Sequence, residues 1–344
     1  MNIKDENIIK YSKLLSPEEL QSKYPLSENS KEFILSSRKS VEDILEAKDD
    51  RKIIILGPCS IHNYEEAIEY ANFVKELQEK VKDKFLLIMR TYFEKPRSTI
   101  GWKGLLYDPF LNGSEDIESG LKISRHLLCD IASLGVPTAT EFLGVLVPQY
   151  ISDLVTWAAI GARTTESQSH REFVSGLSLP VGFKNSTFGS VDIAINAMIS
   201  SENPHSFIGI DESGLVSKVY TKGNKYVHLI LRGGKKPNFD SVSISEIVSD
   251  FENHDFKANL IVDCSHGNSN KDFKNQSIVF KDLINQINGG RSEIIGLMLE
   301  SNISEGSQKL IDPKKLEKGI SITDACISKE TTEELILWAY NFLN

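Results

Sequence analysis

Eight short, mostly apolar stretches recur along the 344-residue chain, and nearly every one ends on a charged or metal-binding residue. They are IIILGPC (Cys59), FLLIMR (Arg90), PTATE (Glu141), AAIGAR (Arg163), PVGFK (Lys184), HLILR (Arg232), LIVDCSH (His266) and IIGLMLE (Glu300). Continuous apolar runs of this length are the signature of parallel strands buried on both faces. Eight of them with helical patterns between predict an α/β fold of the (β/α)8 type, a TIM barrel, in which chemistry sits at the carboxyl ends of the strands.

The first unit illustrates the pattern. Ile53 to Leu56 reads as strand one; Asn63 and Glu66 then cap a helix that carries Ile68, Ala71, Val74, Leu77 and Val81 at helical spacing. Later helices are expected to open at Ser190 and at Thr331 and Thr332. Before strand one, residues 1–48 read as a helical arm: Ser16-Pro17-Glu18-Glu19 forms a capping box with proline at the first helical position, and Ile34, Val41, Ile44 and Leu45 follow at helical spacing. A helical arm outside a barrel needs an apolar surface to lie on, supplied either by its own barrel or by another subunit, and a contact between subunits is favoured. Residues 49–344 are then the barrel. Two segments interrupt its rhythm: the Gly-, Pro- and aromatic-rich stretch 91–120, of a length that is usually functional, and residues 206–226, which read as an inserted β-hairpin before strand six (Tyr226 to Leu231).

Lys plus Arg total 39 against 48 Asp plus Glu, a net charge of -9, which argues against a general nucleic-acid or membrane-surface binder. Residues 1–15 lack the apolar core of a secretion signal, and no stretch approaches the length that spans a bilayer, so a cytoplasmic location is expected. In that reducing compartment Cys59, Cys129, Cys264 and Cys326 are expected to stay unpaired.

Against this acidic background the placement of Arg90, Lys95, Arg97, Arg163, Lys184 and Arg232 is informative. Each falls at a strand end or in the loop after it, so a barrel gathers all six at one mouth. Singly, each is most simply a solvated cation; together they suit small, multiply anionic substrates, because guanidinium groups pair with phosphate or carboxylate in bidentate fashion. Lys95-Pro96-Arg97-Ser98-Thr99 adds a restrained turn with two cations and two hydroxyls, a workable phosphate cradle. Cys59, His266, Glu300 and Asp324 bring S, N and O donors to the same mouth, a mixture that suits a divalent transition metal better than Mg or Ca. Each of these alone also has a bland reading, as packed thiol, satisfied imidazole or partner of a nearby cation. Gly233-Gly234 and Gly289-Gly290 read as turns, and neither a P-loop nor a strand-linked dinucleotide fingerprint is present, so no nucleotide cofactor is expected. His62, Cys129, Cys264 and Cys326 read as structural.

The segments GPCSIHN (57–63), MRTYFEKPRSTIGWKGLLYDP (89–109), IGARTTESQSHR (160–171), PVGFKN (180–185), VDCSHGNS (262–269), LMLESN (297–302) and SITDAC (321–326) resemble the class I 3-deoxy-D-arabino-heptulosonate 7-phosphate (DAHP) synthases, the type regulated by aromatic amino acids. The resemblance runs from about Leu14 to the last helix. It implies condensation of phosphoenolpyruvate with erythrose 4-phosphate to give DAHP and inorganic phosphate, the first step of the shikimate pathway. It implies one divalent metal (Mn, Fe, Co or Zn) held by Cys59, His266, Glu300 and Asp324. Arg90, Lys95, Arg163, Lys184 and Arg232 would hold phosphoenolpyruvate with Glu141 nearby, while Arg97 and Ser98 would take the erythrose phosphate; Ser98 stands where members often carry Thr. Lys95 is the expected proton donor. The resemblance further implies a homodimer or homotetramer and feedback inhibition by an aromatic amino acid at Asp5, Ile8, Pro148, Gln149, Leu177, Ser178, Phe207 and Gly209. Gly209 favours tyrosine over phenylalanine as effector, since the phenylalanine-sensitive branch tends to carry Ser there.

Two rivals remain at this level. A related 3-deoxy-sugar-acid synthase would use arabinose 5-phosphate, but tends to have Lys-Ala-Asn-Arg-Ser where this chain has Lys95-Pro96-Arg97-Ser98. A non-catalytic barrel that senses metabolites would have no need of a thiol, an imidazole and two carboxylates on one rim.

Overall fold

A computed structural model describes residues 4–254 and 256–343. In chain order the elements are α1 (Pro17–Lys23), α2 (Glu28–Leu45), β1 (Lys52–Gly57), α3 (Tyr64–Val81), β2 (Phe85–Arg90), α4 (Ile117–Ser133), β3 (Thr138–Glu141), α5 (Pro148–Ile151), β4 (Trp157–Ile160), α6 (Gln168–Val174), β5 (Val181–Lys184), α7 (Asp192–Glu202), β6 (Ser206–Ile210), β7 (Val216–Tyr220), β8 (Val227–Leu231), α8 (Ser241–Asn253), β9 (Leu260–Asp263), α9 (Gln276–Asn288), β10 (Ile294–Asn302), β11 (Ile327–Ser328) and α10 (Lys329–Phe342). Strands β1, β2, β3, β4, β5, β8, β9 and β10 pair in parallel in that order, and β1 pairs with β10 to close the barrel. These are the eight stretches legible in the sequence. The β6–β7 pair is antiparallel, with Gly209 opposite Ser217, and forms a separate two-stranded sheet. Among the described residues no helix is long and apolar enough to cross a membrane.

Period-two alternation divides each buried strand between two cores. Ile53 and Ile55 face inward with Ile88, Ala139, Trp157, Ile230 and Met298, whereas Ile54 and Leu56 pack outward with the helices. The inner cluster also contains Val41, Ile44 and Leu45 of α2. Lys257 and Asn259, just before β9, both donate to the Leu45 carbonyl, so the end of α2 seals the mouth where the strands begin. Buried Arg38 ties the same helix to the carbonyls of Ser152, Val155 and Ser178. The helical part of the arm thus lies on its own barrel, one of the two surfaces open to it, because the one-face spacing of Val41, Ile44 and Leu45 matches the mouth that carries Ile295. The segment before it is different: Ile9 is almost fully exposed and Tyr11 largely so.

Capping follows the sequence in part. The Ser16/Glu19 box is formed, with reciprocal bonds of 3.2 and 2.6 Å, and Asn63 accepts from the Glu66 amide at 3.0 Å. Two expected openings shift. Ser190 donates its N–H to Ser186 in a turn, so α7 starts at Asp192 without a side-chain cap; Ser328 caps the last helix by accepting from the Thr331 amide, so α10 starts earlier, at Lys329.

Candidate active site at the carboxyl ends of the strands

A cavity of about 240 Å³ opens at the carboxyl end of the barrel. Arg90, Lys95, Arg97, Ser98, Glu141, Arg163, Lys184, Arg232, His266, Glu300 and Asp324 all line it, and Cys59 lies fully buried beneath. Every barrel-mouth residue singled out in the sequence is therefore in one place. The backbone makes room for this: Gly57 has φ +144°, and a Cβ there would meet the Arg90 backbone and Cβ at 3.0–3.1 Å.

The cations are held in different ways. Arg90, on β2, is fully buried; it donates to the Pro58 carbonyl at 3.2 Å and to Glu300 Oε1 at 3.1 Å, and its guanidinium lies 4.1 Å from the Tyr92 ring centroid. Lys184, on β5, donates to Glu141 Oε2 at 2.8 Å. Burial opposes charge on both partners, yet Glu141 is held below the usual carboxylate range by Lys184 and Lys184 is raised by Glu141, so the pair is ionised. At the rim, Arg163 donates to the Ser98 hydroxyl at 3.3 Å, and Arg97 Nε donates to the Trp102 carbonyl at 2.7 Å. Those contacts set the 95–99 turn beside the cavity.

Lys95 Nζ reaches inward to lie 3.0 Å from Cys59 Sγ and 3.3 Å from the Cys59 carbonyl. Burial would lower the Lys95 ammonium, but Cys59, Glu300 and Asp324 more than offset it and keep it protonated, a proton donor at the floor of the site. Burial, with Glu300, pushes the Cys59 thiol up to about 11, against the pull of Lys95. Such a thiol becomes a good ligand only when a cation arrives to displace its proton.

The candidate metal ligands converge in part as one cluster. Donor atoms of Cys59, Glu300 and Asp324 lie within 4.8 Å of one another, with Cys59 Sγ 3.5 Å from Asp324 Oδ2. His266 stands at the edge of that group, its Nε2 4.0 Å from Glu300 Oε1. Its backbone is left-handed, φ +54°, which a non-glycine residue adopts at a cost and which aims the ring inward. The other ring nitrogen, Nδ1, is hydrogen-bonded to the Ser265 hydroxyl at 2.6 Å, which itself donates to Asp263 Oδ1 at 2.7 Å, and it lies 2.8 Å from Asp263 Oδ2; such hydroxyl and carboxylate partners orient ligating histidines. Burial alone would raise the Asp263 carboxyl; His266 and Lys184 hold it well below the usual range. Thiol, imidazole and two carboxylates, with one imidazole nitrogen already engaged, suit a divalent transition ion.

Two residues of the site were missed in the sequence, Tyr92, under Arg90 and 5.7 Å from Lys184 Nζ, and Asp263, behind His266; so was Glu94, which is buried beside Lys95 but does not line the cavity. Tyr92 and Glu94 stand within the MRTYFEKPRS stretch, and Asp263 is the strand-end acid three residues before His266. The structural reading of the remaining cysteines fits their places. All four are free; Cys129 and Cys326 donate to backbone carbonyls, and Cys264 is fully buried.

A second cavity, of about 680 Å³, lies outside the barrel between α5, α6 and the β6–β7 hairpin. Pro148, Gln149, Leu177, Ser178, Phe207 and Gly209 line it. Asp5 and Ile8 do not; both are exposed in the arm. Gly209 matters sterically, because a Cβ there would meet Val219 Cγ2 at 2.9 Å.

The sequence profile of the DAHP synthetase I family matches residues 23–336. The Tyr-sensitive phospho-2-dehydro-3-deoxyheptonate aldolase of Escherichia coli K12 is 48% identical over 345 residues, covering 100% of this chain and 96% of the relative. The Phe-sensitive one of the same organism is 46% identical over 332 residues, covering 96% and 95%. A solved structure of phospho-2-dehydro-3-deoxyheptonate aldolase from Francisella tularensis SCHU S4 superimposes with a TM-score of 0.95 at 44% identity, over 98% of both chains. With a family match over most of its length and nearly half its residues shared with relatives along their whole chains, this protein belongs to the DAHP synthetase I family.

Proposed function

We propose that the protein condenses phosphoenolpyruvate with erythrose 4-phosphate to DAHP and inorganic phosphate, the entry step of the shikimate pathway, with one divalent metal ion and under feedback by an aromatic amino acid. The observation that carries this reading is the joint presence, in one cavity, of six Arg or Lys side chains, an imidazole and two carboxylates, with a buried thiol beside those carboxylates. Two phosphorylated substrates repel one another in water; a cradle of fixed cations removes that repulsion and brings the enol carbon to the aldehyde. In this reading Arg90, Arg163, Lys184 and Arg232 grip phosphoenolpyruvate, and Glu141 keeps Lys184 charged and in place. Arg97 and Ser98 take the phosphate of the aldose. Lys95, protonated and half-buried, donates to the alkoxide that develops as the carbon–carbon bond forms. Cys59, His266, Glu300 and Asp324 would hold the metal, which when bound supplies Lewis-acid polarisation; Mn, Fe, Co and Zn all fit this donor set.

The six cavity residues Pro148, Gln149, Leu177, Ser178, Phe207 and Gly209 are the effector site in this reading, and Gly209 favours tyrosine. The division into an arm (1–48) and a catalytic barrel (49–344), a homodimer or homotetramer built with the exposed arm, which carries Asp5 and Ile8, and a cytoplasmic location complete the proposal. Phosphate release tests the activity: it should require both substrates, stop on chelation and return with a divalent metal. Preferential turnover of arabinose 5-phosphate in competition, or full activity in Cys59→Ala and His266→Ala variants, would overturn it.

A further inference from the structure

The two cavities share one wall. The loop between β3 and α5 places Leu143 on the barrel-mouth cavity and Val145, Leu146 and Pro148 on the second cavity. Two buried side chains clamp this loop from opposite sides. Glu94, next to Lys95, accepts from the Leu143 amide at 3.1 Å through Oε2, and from the Gly144 amide at 2.9 Å and the Tyr107 hydroxyl at 3.1 Å through Oε1. His170 holds the Leu143 carbonyl at 2.9 Å through Nε2, while its Nδ1 faces the Ser167 hydroxyl at 2.9 Å. His170 belongs to α6, whose Ser169, Glu172 and Phe173 line the second cavity. A molecule that presses on Val145, Leu146 or Pro148 therefore moves backbone amides whose partner carboxylate is one residue from the inward-pointing lysine. Gly144 leaves no slack, since even a Cβ there would meet Glu94 Oε1 at 3.0 Å and Tyr107 Oη at 3.1 Å.

We propose that Glu94 is a positioning residue that couples occupancy of the second cavity to the placement of Lys95 and Arg97 at the barrel mouth. The coupling rests on the function proposed above, and it assigns to a side chain outside both ligand sites the transmission between them. A carboxylate suits the task because it accepts from two successive amides at once, a grip that an amide side chain cannot reproduce: one of its two termini is a donor and would face an N–H. If the loop is drawn aside, Glu94 either follows, taking Lys95 with it, or is left buried without its donors, which is costly.

The test compares wild type with Glu94→Gln, using tyrosine, phenylalanine and tryptophan as probes and reading turnover and amino-acid binding separately. In wild type, the inhibiting amino acid should bind about 10-fold more weakly when the active site is occupied by phosphoenolpyruvate, the reciprocal of its effect on that substrate. In Glu94→Gln this ratio should fall to within about twofold of unity and the residual rate at saturating effector should rise at least about fivefold, while the affinity for the amino acid alone changes less than about threefold. The KM for erythrose 4-phosphate should rise more than kcat falls, because Arg97 and Ser98 share the loop, and Glu94→Asp should recover part of both effects. Should Glu94→Gln fail to fold, His170→Gln reads the same coupling from the other side of Leu143 and should also weaken it. Inhibition of Glu94→Gln and His170→Gln as deep as in wild type would overturn the coupling alone. A wild-type enzyme that turns over both substrates but is indifferent to all three amino acids would overturn it together with the effector reading.

Discussion

Asp263 Oδ2 and His266 Nδ1 lie 2.8 Å apart, with the carboxylate fully buried and the imidazole presenting its other nitrogen to Glu300. With the Ser265 hydroxyl, 2.6 Å from the same nitrogen and bonded to Asp263 Oδ1, the carboxylate fixes which nitrogen of His266 is offered to a ligand. Asp263→Asn should raise the manganese concentration needed for half-maximal activity by about 10- to 100-fold while leaving a folded protein. Metal titration into the metal-free enzyme measures it, and an unchanged requirement would remove Asp263 from the site's support.

The Glu141–Lys184 pair offers a stability readout independent of turnover. Both groups are buried, so Glu141→Gln strands an ammonium and should cost about 3–5 kcal/mol in denaturant unfolding. Glu141→Gln with Lys184→Met removes the uncompensated charge and should recover much of that loss, though not activity. A single variant as stable as wild type would mean that water reaches Lys184.

Acid should act on His228. Its ring, fully buried in the barrel, takes the Trp157 Nε1–H at 2.9 Å, and burial lowers its pKa to about 4. Since the folded value lies below the unfolded one, the stability tied to the neutral ring is present above about pH 6.5 and is lost as pH falls through about 4, up to about 3 kcal/mol. His228→Gln keeps an acceptor for Trp157 without titrating, so its unfolding free energy should fall less steeply between pH 6.5 and 4 than that of wild type, by up to about 1.4 kcal/mol per pH unit. Parallel curves would show that another group governs acid unfolding.

Gly209→Ser should weaken inhibition by tyrosine about 5- to 30-fold, equivalent to about 1–2 kcal/mol, because the added side chain meets Val219 and narrows the second cavity. Dose–response curves with tyrosine and phenylalanine check the direction; phenylalanine should lose less.

The rim was legible because a parallel barrel carries local order into three dimensions: wherever an apolar run ends, the next polar side chain is at the mouth. Arg90, Glu141, Lys184 and Glu300 needed no more than that. Asp263 and Tyr92 were not legible, because their roles depend on partners across the barrel and on the left-handed turn at His266. Glu94 was hidden for a related reason: two of its three donors come from the β3–α5 loop and the third from thirteen residues further along its own. Helix openings shifted by two or three residues where turn hydroxyls compete, as at Ser186 and Ser328. The arm's destination was legible only as a choice between two surfaces, since an apolar helical stripe states that something must cover it and not what does.

The sealing of the barrel base by α2 has a consequence for how the molecule assembles. Val41, Ile44 and Leu45 leave the ribosome before any strand, whereas Ile295 and Met298, in the same packed cluster, follow about 250 residues later. The base stays unfinished until most of the chain has been made, and α2 must wait for β10, the last strand of the barrel. Closure of that kind has a high contact order and is slow, so a shortened amino terminus should burden refolding yield more than the chemistry at the opposite mouth.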